Sequence, residues 1–255
     1  YKQVLQVRTQ EAMPLEWAKV MNNLAISYLQ RIRGDRAQNL EYAIAACKQS
    51  FQMITAEAMP IIWAQVMHNL ACAYGERIWG DRAQNLEDAI MAYKQSLQAR
   101  ARESTPVDWA MTMSSLAGAY TKRIRGDRAQ NLEDAIVACK QALQVRTWQA
   151  MPLDWALTMQ NLAHAYHYRI RGDRAQNIEE AIAAYEQALQ VKTREALPID
   201  WAGIMNNLAC TYLDRIRGDR AQNLEDAIAA CEQWLQVRTR DDMPIDWAET
   251  MHNLA

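Results

Sequence analysis

Two sets of residues in this chain have the types and spacing to do chemistry. His164 and His167 stand three positions apart, one helical turn, and Cys210 lies 46 residues beyond His164. Two imidazoles and a thiolate are ligands that zinc accepts. No other part of the chain reproduces the set, so it is read as variable surface residues and no metal site is assigned. The second set is RIRGDRAQN at residues 31–39, whose Arg-Gly-Asp is an integrin ligand in some extracellular proteins. It returns as RIWGDRAQN at 77 and as RIRGDRAQN at 123, 169 and 215. Trp79 replaces an arginine that an integrin motif could not lose but a packed turn could. There is no Gly-rich phosphate loop, no recurrent Ser/His/Asp or Cys/His constellation, and no carboxylate pair apart from helix caps. The reading is therefore not an enzyme, and no cofactor is implied.

What positions these residues is a repeat. All six prolines, and six of the nine tryptophans, recur in register every 46 residues. The unit reads approximately EAMPxDWAxxMxNLAxAYxxRIRGDRAQNLEDAIxAYxQALQVRTR, which divides the chain into a partial unit at 1–10, full units at 11–56, 57–102, 103–148, 149–194 and 195–240, and a partial unit at 241–255. Such a period means stacked units that touch their neighbours rather than one globular core. A net charge of −2 gives no general attraction to nucleic acid or membrane. No apolar run is long enough to span a bilayer and no N-terminal signal pattern is present, which points to the cytoplasm and no membrane partner. Cys47, Cys139 and Cys231 share one repeat column, Cys72 and Cys210 another, so they read as reduced thiols rather than a disulfide framework. Both ends fall midway through a unit. The expectation is a piece of a longer protein, with uncapped termini available for end-to-end self-association.

Within a unit, Trp17, Met21, Leu24, Ala25, Tyr28 and Ile32 lie on one face of a helix, here helix A. Pro14 suits its first turn, and Glu16 favours its positive end. Leu40, Ala43, Ile44, Cys47, Ser50, Phe51 and Ile54 give a second, helix B. Between them Gly34 can take the left-handed conformation that closes a helix, and Asn39 is the expected N-cap of helix B, with Asp88, Asp134, Glu180 and Asp226 completing capping-box-like pairs in later units. Arg31, Arg33 and Arg36 are expected to pair with Asp35 and Glu41 of the same unit or with Asp81, Glu87 and Asp88 of the next.

The pattern Met21, Asn23, Leu24, Ala25, Tyr28, then Ala43, Ile44, Cys47, Ser50 and Phe51, resembles the tetratricopeptide repeat. Ala25, Ala43 and Ser50 match its small positions of close helix approach. Met stands at the large position of helix A, and the unit is longer than the family's ~34 residues. The resemblance implies an all-α, right-handed helical-repeat solenoid of antiparallel helix pairs that binds protein or peptide in a concave groove. Longer-unit arrays of this kind look like those of large bacterial, notably cyanobacterial, proteins that join repeats to a signalling domain.

Function should lie where the units differ. The columns Lys19/Gln65/Met111/Leu157/Gly203/Glu249, Asn22/His68/Ser114/Gln160/Asn206/His252, Ile26/Cys72/Gly118/His164/Cys210, Leu29/Gly75/Thr121/His167/Leu213 and Gln30/Glu76/Lys122/Tyr168/Asp214 change at almost every step and share one face of helix A. In tetratricopeptide arrays that face lines the groove. Its apolar content favours a contact surface, and drift on a solvated face is the alternative. Asn23, Asn69, Asn161, Asn207 and Asn253 recur beside it, with only Ser115 departing, either as clamps for a peptide backbone or as structural bonds to the next helix. Two other classes stand beside peptide binding. RNA binding along a row of fourteen arginines is opposed by the acids among them, and a pure spacer is the third.

Overall fold

The computed structural model describes residue 9 and residues 11–237. The terminal partial units therefore lie outside the described residues for most of their length. Ten α-helices, and no strands, occur among the described residues. The five A-type helices are α1 (Pro14–Leu29), α3 (Pro60–Glu76), α5 (Pro106–Lys122), α7 (Pro152–His167) and α9 (Pro198–Leu213). The five B-type helices are α2 (Arg36–Ser50), α4 (Arg82–Ala99), α6 (Arg128–Leu143), α8 (Arg174–Leu189) and α10 (Arg220–Leu235).

Every A helix starts on its proline, where the missing N–H is not needed and φ is already helical. Every B helix starts at the arginine that follows the Gly-Asp of its turn. This is four residues earlier than Asn39 as N-cap would require.

The chain falls into two compact units, residues 1–128 and 129–255. In the first, α1 pairs with α2 and α3 with α4, α2 and α4 pack on the A helices that follow them, and the A helices α1, α3 and α5 touch in succession. In the second, α7 pairs with α8 and α9 with α10, with α8 against α9 and α7 against α9. The core is built from small residues that let backbones approach: Ala18, Ala25 and Ala43 are fully buried in the first unit, Ala163, Ala181 and Ala188 in the second. Ser50 and Ser96 occupy the same kind of position. Their hydroxyls donate to the Ala18 and Ala64 carbonyls at 3.0 and 2.7 Å, so two polar atoms are buried as a satisfied pair.

Three expectations are corrected by the packing. Ile32 is 98% exposed, because α1 stops at Leu29 before the apolar stripe reaches it. Ile54 is buried but lies in the connection beyond α2, after its last turn. Of the repeated tryptophans among the described residues, Trp17, Trp63, Trp109 and Trp155 are only half-buried and Trp201 is buried; three of them lie against the connection that precedes their own helix, Trp109 under Arg102, Trp155 against Trp148 and Trp201 under Arg194.

Candidate functional site

The turn that joins A to B has little left to offer a ligand. Gly34, Gly80, Gly126, Gly172 and Gly218 all have φ between 80° and 86°, the left-handed region that penalises any Cβ. The Asp of Arg-Gly-Asp is the true N-cap: Asp35 Oδ1 accepts the Gln38 N–H at 2.7 Å, and Asp81, Asp173 and Asp219 do the same. Asn39 instead sits buried in the first turn of α2, its Nδ2 donating to the Arg33 carbonyl at 3.1 Å. Asn85 donates to the Trp79 carbonyl at 2.9 Å in the same way, so what this position supplies is a backbone oxygen, and tryptophan serves as well as arginine.

The three arginines divide the remaining work. The first clamps the preceding pair: Arg77 grips Glu41 with Nε and Nη2 at 2.6 and 3.0 Å, and Arg123–Glu87, Arg169–Glu133 and Arg215–Glu179 repeat the bidentate geometry. Glu41 is thus held by the next unit, not by its own. Hydrogen bonding to these guanidinium groups pulls the Glu87 and Glu133 carboxyls below their ordinary range. The second arginine reaches back to a glutamine, as in Arg125 to Gln84 at 2.8 Å and Arg217 to Gln176 at 3.0 Å. The third caps the A helix, Arg36 donating to the Leu29 carbonyl at 2.5 Å and Arg220 to Leu213 at 2.6 Å. That cap, with the glycine, ends the helix short of Ile32.

The variable face of helix A is less uniform than its spacing suggests. Column 22 turns into the contact between successive A helices: Asn22, His68 and Ser114 are buried, Gln160 and Asn206 half-buried. Thr121 and His167 are likewise buried in column 29, while Leu29 and Leu213 are half-buried. In column 30 Gln30, Glu76, Lys122, Tyr168 and Asp214 are exposed, yet Glu76 is engaged by Arg36, Asp214 by Arg174, and the Tyr168 ring by His164 and His167. Lys19, Gln65, Met111, Ile26, Cys72, Gly118, His164 and Cys210 are half-buried and Leu157 exposed. Of the recurrent asparagines, Asn69 donates Nδ2 to Asn22 Oδ1 of the preceding A helix at 2.8 Å, the structural bond rather than the clamp. Asn23 is exposed, and Asn161 and Asn207 are half-buried.

In the first unit these columns enclose a cavity of about 260 Å³, lined by Asn22, Asn23, Ile26, Gln65, His68, Asn69 and Met111 together with Arg100 and Asp108. Arg100, 1% exposed, is a residue that sequence reasoning missed. Its Nη1 donates to the Asp108 carbonyl at 3.1 Å and to Thr112 Oγ1 at 2.9 Å, while its Nε has no partner. Burial lowers its pKa, with Asp108 opposing. Thr112 gives its one hydrogen to the Asp108 carbonyl at 2.9 Å, so it accepts from both Arg100 and His68, whose Nδ1 lies 3.1 Å away. That inventory places the His68 proton on Nδ1 and leaves Nε2 facing Cys72 Sγ at 3.5 Å. A signal was present in the sequence. Arg100 and Arg146 are each followed twelve residues later by a threonine, Thr112 and Thr158, and Arg146 donates to Thr158 at 3.3 Å. Where the first member is Ile54, the second is Val66.

His167 is held by Asp214 through Nε2 at 2.9 Å and lies 3.3 Å from the Thr211 hydroxyl. Burial lowers its pKa, and Asp214 opposes. His164 packs on the Tyr168 ring, and no group of three His, Cys, Asp or Glu side chains among the described residues is arranged to hold a metal. All five cysteines are free thiols, and burial pushes Cys47 and Cys139 up to about 12 and Cys72 to about 11, far from a reactive thiolate. No helix among the described residues is long and apolar enough to cross a membrane.

A family model described as tetratricopeptide repeat matches residues 155–195 and 201–236, the α7–α8 and α9–α10 pairs. No curated protein matches the chain.

Proposed function

From the premise that this chain is an array of tetratricopeptide-type repeats, a fold that generally serves as a protein-interaction scaffold, we propose that it binds a protein or peptide through the variable face of its A helices. The observation that carries the reading is the cavity of about 260 Å³ in the first unit. It gathers residues from three successive A helices over a buried arginine: Asn22, Ile26, Gln65, His68 and Met111 from columns that change between repeats, with the recurrent Asn23 and Asn69 beside them. The floor presents a desolvated cation, which a carbonyl or acidic group of an extended peptide would complement. Around it the columns of Gln65, Met111 and Ile26 vary without affecting the turn, as reading side chains should. The turn arginines, in contrast, are engaged by carboxylates and carbonyls of the protein itself, which argues against RNA along that edge.

The test is selection of peptides from a random display library, followed by titration against wild type and two variants. Gln65→Ala with Met111→Ala strips the rim. Arg100→Ile with Thr112→Val removes the cation by copying the Ile54/Val66 pair that the chain already packs. Loss of affinity by about tenfold, roughly 1.4 kcal/mol, in either variant at unchanged melting is expected. Equal binding by all three proteins, or no selected peptide, would make the segment a spacer.

A further inference from the structure

A second cavity, of about 380 Å³, opens on the Trp63 ring, away from the variable columns. It is bounded by Ala56 and Glu57 in the connection before α3, and by Gln95, Gln98 and Ala99 at the end of α4. Its origin is visible by comparison within the chain. The position of Ala56 is held one repeat later by Arg102, then by Trp148, then by Arg194. Each of those side chains covers the tryptophan seven residues on: the Arg102 guanidinium lies 5.4 Å from the Trp109 ring centroid, Arg194 lies 5.7 Å from Trp201, and the Trp148 ring lies 4.9 Å from Trp155. In the α3–α4 pair the cover is a methyl group. The floor is reduced too, since Ala99 stands where the later repeats place Val145, Val191 and Val237. Two truncations coincide at one site, and the space they leave falls in the size range of ligand pockets, roughly 300–1,000 Å³.

The residue beside the cover says what is missing. Arg102 and Arg194 are followed by acids, Glu103 and Glu195, whereas Trp148 is followed by neutral Gln149. Ala56 is followed by Glu57. Ala56 thus keeps the acid found beside Arg102 and Arg194, as Gln10 does with Glu11, but has no side chain of its own to pair with it or cover the ring. An aromatic face, a carboxylate and the amide oxygens of Gln95 and Gln98 together offer what a planar cation seeks: a π surface on one side and acceptors around its edge. We propose that this cavity binds an arginine side chain presented by a partner polypeptide, its guanidinium lying over Trp63 as Arg102 lies over Trp109. The site is separate from the A-helix cavity and does not depend on it.

The probe is the capped tripeptide acetyl-Gly-Arg-Gly-amide, titrated into the ¹⁵N-labelled chain while the Trp63 indole N–H resonance is followed. That signal is assigned by its loss in Trp63→Phe. The norleucine and tryptophan versions of the same peptide run beside it. The arginine peptide should shift Trp63 and bind roughly threefold to tenfold more tightly than the norleucine peptide. Ala56→Arg should abolish the shift, because the chain would then supply its own cover, as it does before α5 and α9. Glu57→Gln, which leaves the cavity open, should weaken binding of the arginine peptide alone. An unmoved Trp63 signal overturns the proposal, as does equal binding of the norleucine peptide, tighter binding of the tryptophan peptide, or a shift that survives Ala56→Arg.

Discussion

The A-to-B turn and the exposed face of helix A sit in the same repeats, yet one hardly changes along the chain and the other changes at nearly every step. The difference follows how fully each side chain is committed. In the turn, glycine supplies a left-handed φ, aspartate caps a helix, asparagine holds a carbonyl, and arginines bind carboxylates and carbonyls across the repeat junction. Each group has one geometry and usually two partners. On the face, Gln65 and Met111 border a cavity and are free to differ. The same contrast is visible inside the turn itself: Trp79 replaces an arginine at the position whose backbone, not side chain, Asn85 requires.

Breaking the comparison should cost most at the clamp. Arg123→Met leaves the half-buried Glu87 without its guanidinium, and denaturant melts should show a loss of about 2 kcal/mol, below the ~3–5 kcal/mol of a fully buried pair. The clamp also sets a pH dependence. The Glu87 and Glu133 carboxyls titrate lower folded than unfolded, so their contribution is present above the ordinary glutamate range and is lost as pH falls through their depressed values. Glu87→Gln with Glu133→Gln should flatten the melting temperature between about pH 5 and pH 3; an unaltered slope there would mean that the clamps add nothing. Asn85→Ala, which orphans the Trp79 carbonyl, should cost about 1.5 kcal/mol. Asp81→Ala removes one cap and should cost about 1 kcal/mol by the same melts. At the small end, Gln65→Ala should change stability by less than about 0.5 kcal/mol, and a larger loss would place that residue with the turn rather than the face.

Much of this architecture could be read without coordinates. The 46-residue step located the pairs, the prolines fixed where A helices start, and the apolar spacing separated A from B. Errors clustered where two explanations shared a residue. Asn39 has the chemistry of an N-cap, and so does Asp35 four positions earlier. Only the backbone shows that the helix begins at Arg36 and that the asparagine is turned inward. Ile32 continues the stripe of α1, but a stripe cannot reveal that an arginine and a left-handed glycine have already ended the helix. The variable columns were legible as one face. Their division into the junction residues Asn22, His68 and Ser114 and the cavity rim was not, because period 3.6 gives the direction of a side chain from its own axis and not the distance to the next helix.

The sequence by itself determined the repeat, the helices and the small residues at which they meet, since these depend on φ preferences and on contacts three or four positions apart. Tertiary structure decided the partners. That Glu41 is held by Arg77, that Arg100 is buried beneath a cavity, and that Trp63 lacks the cover its counterparts possess are all consequences of how one repeat is offset against the next. The offset is fixed by close packing of alanines on neighbouring helices, and it brings together side chains from different repeats that no local period relates.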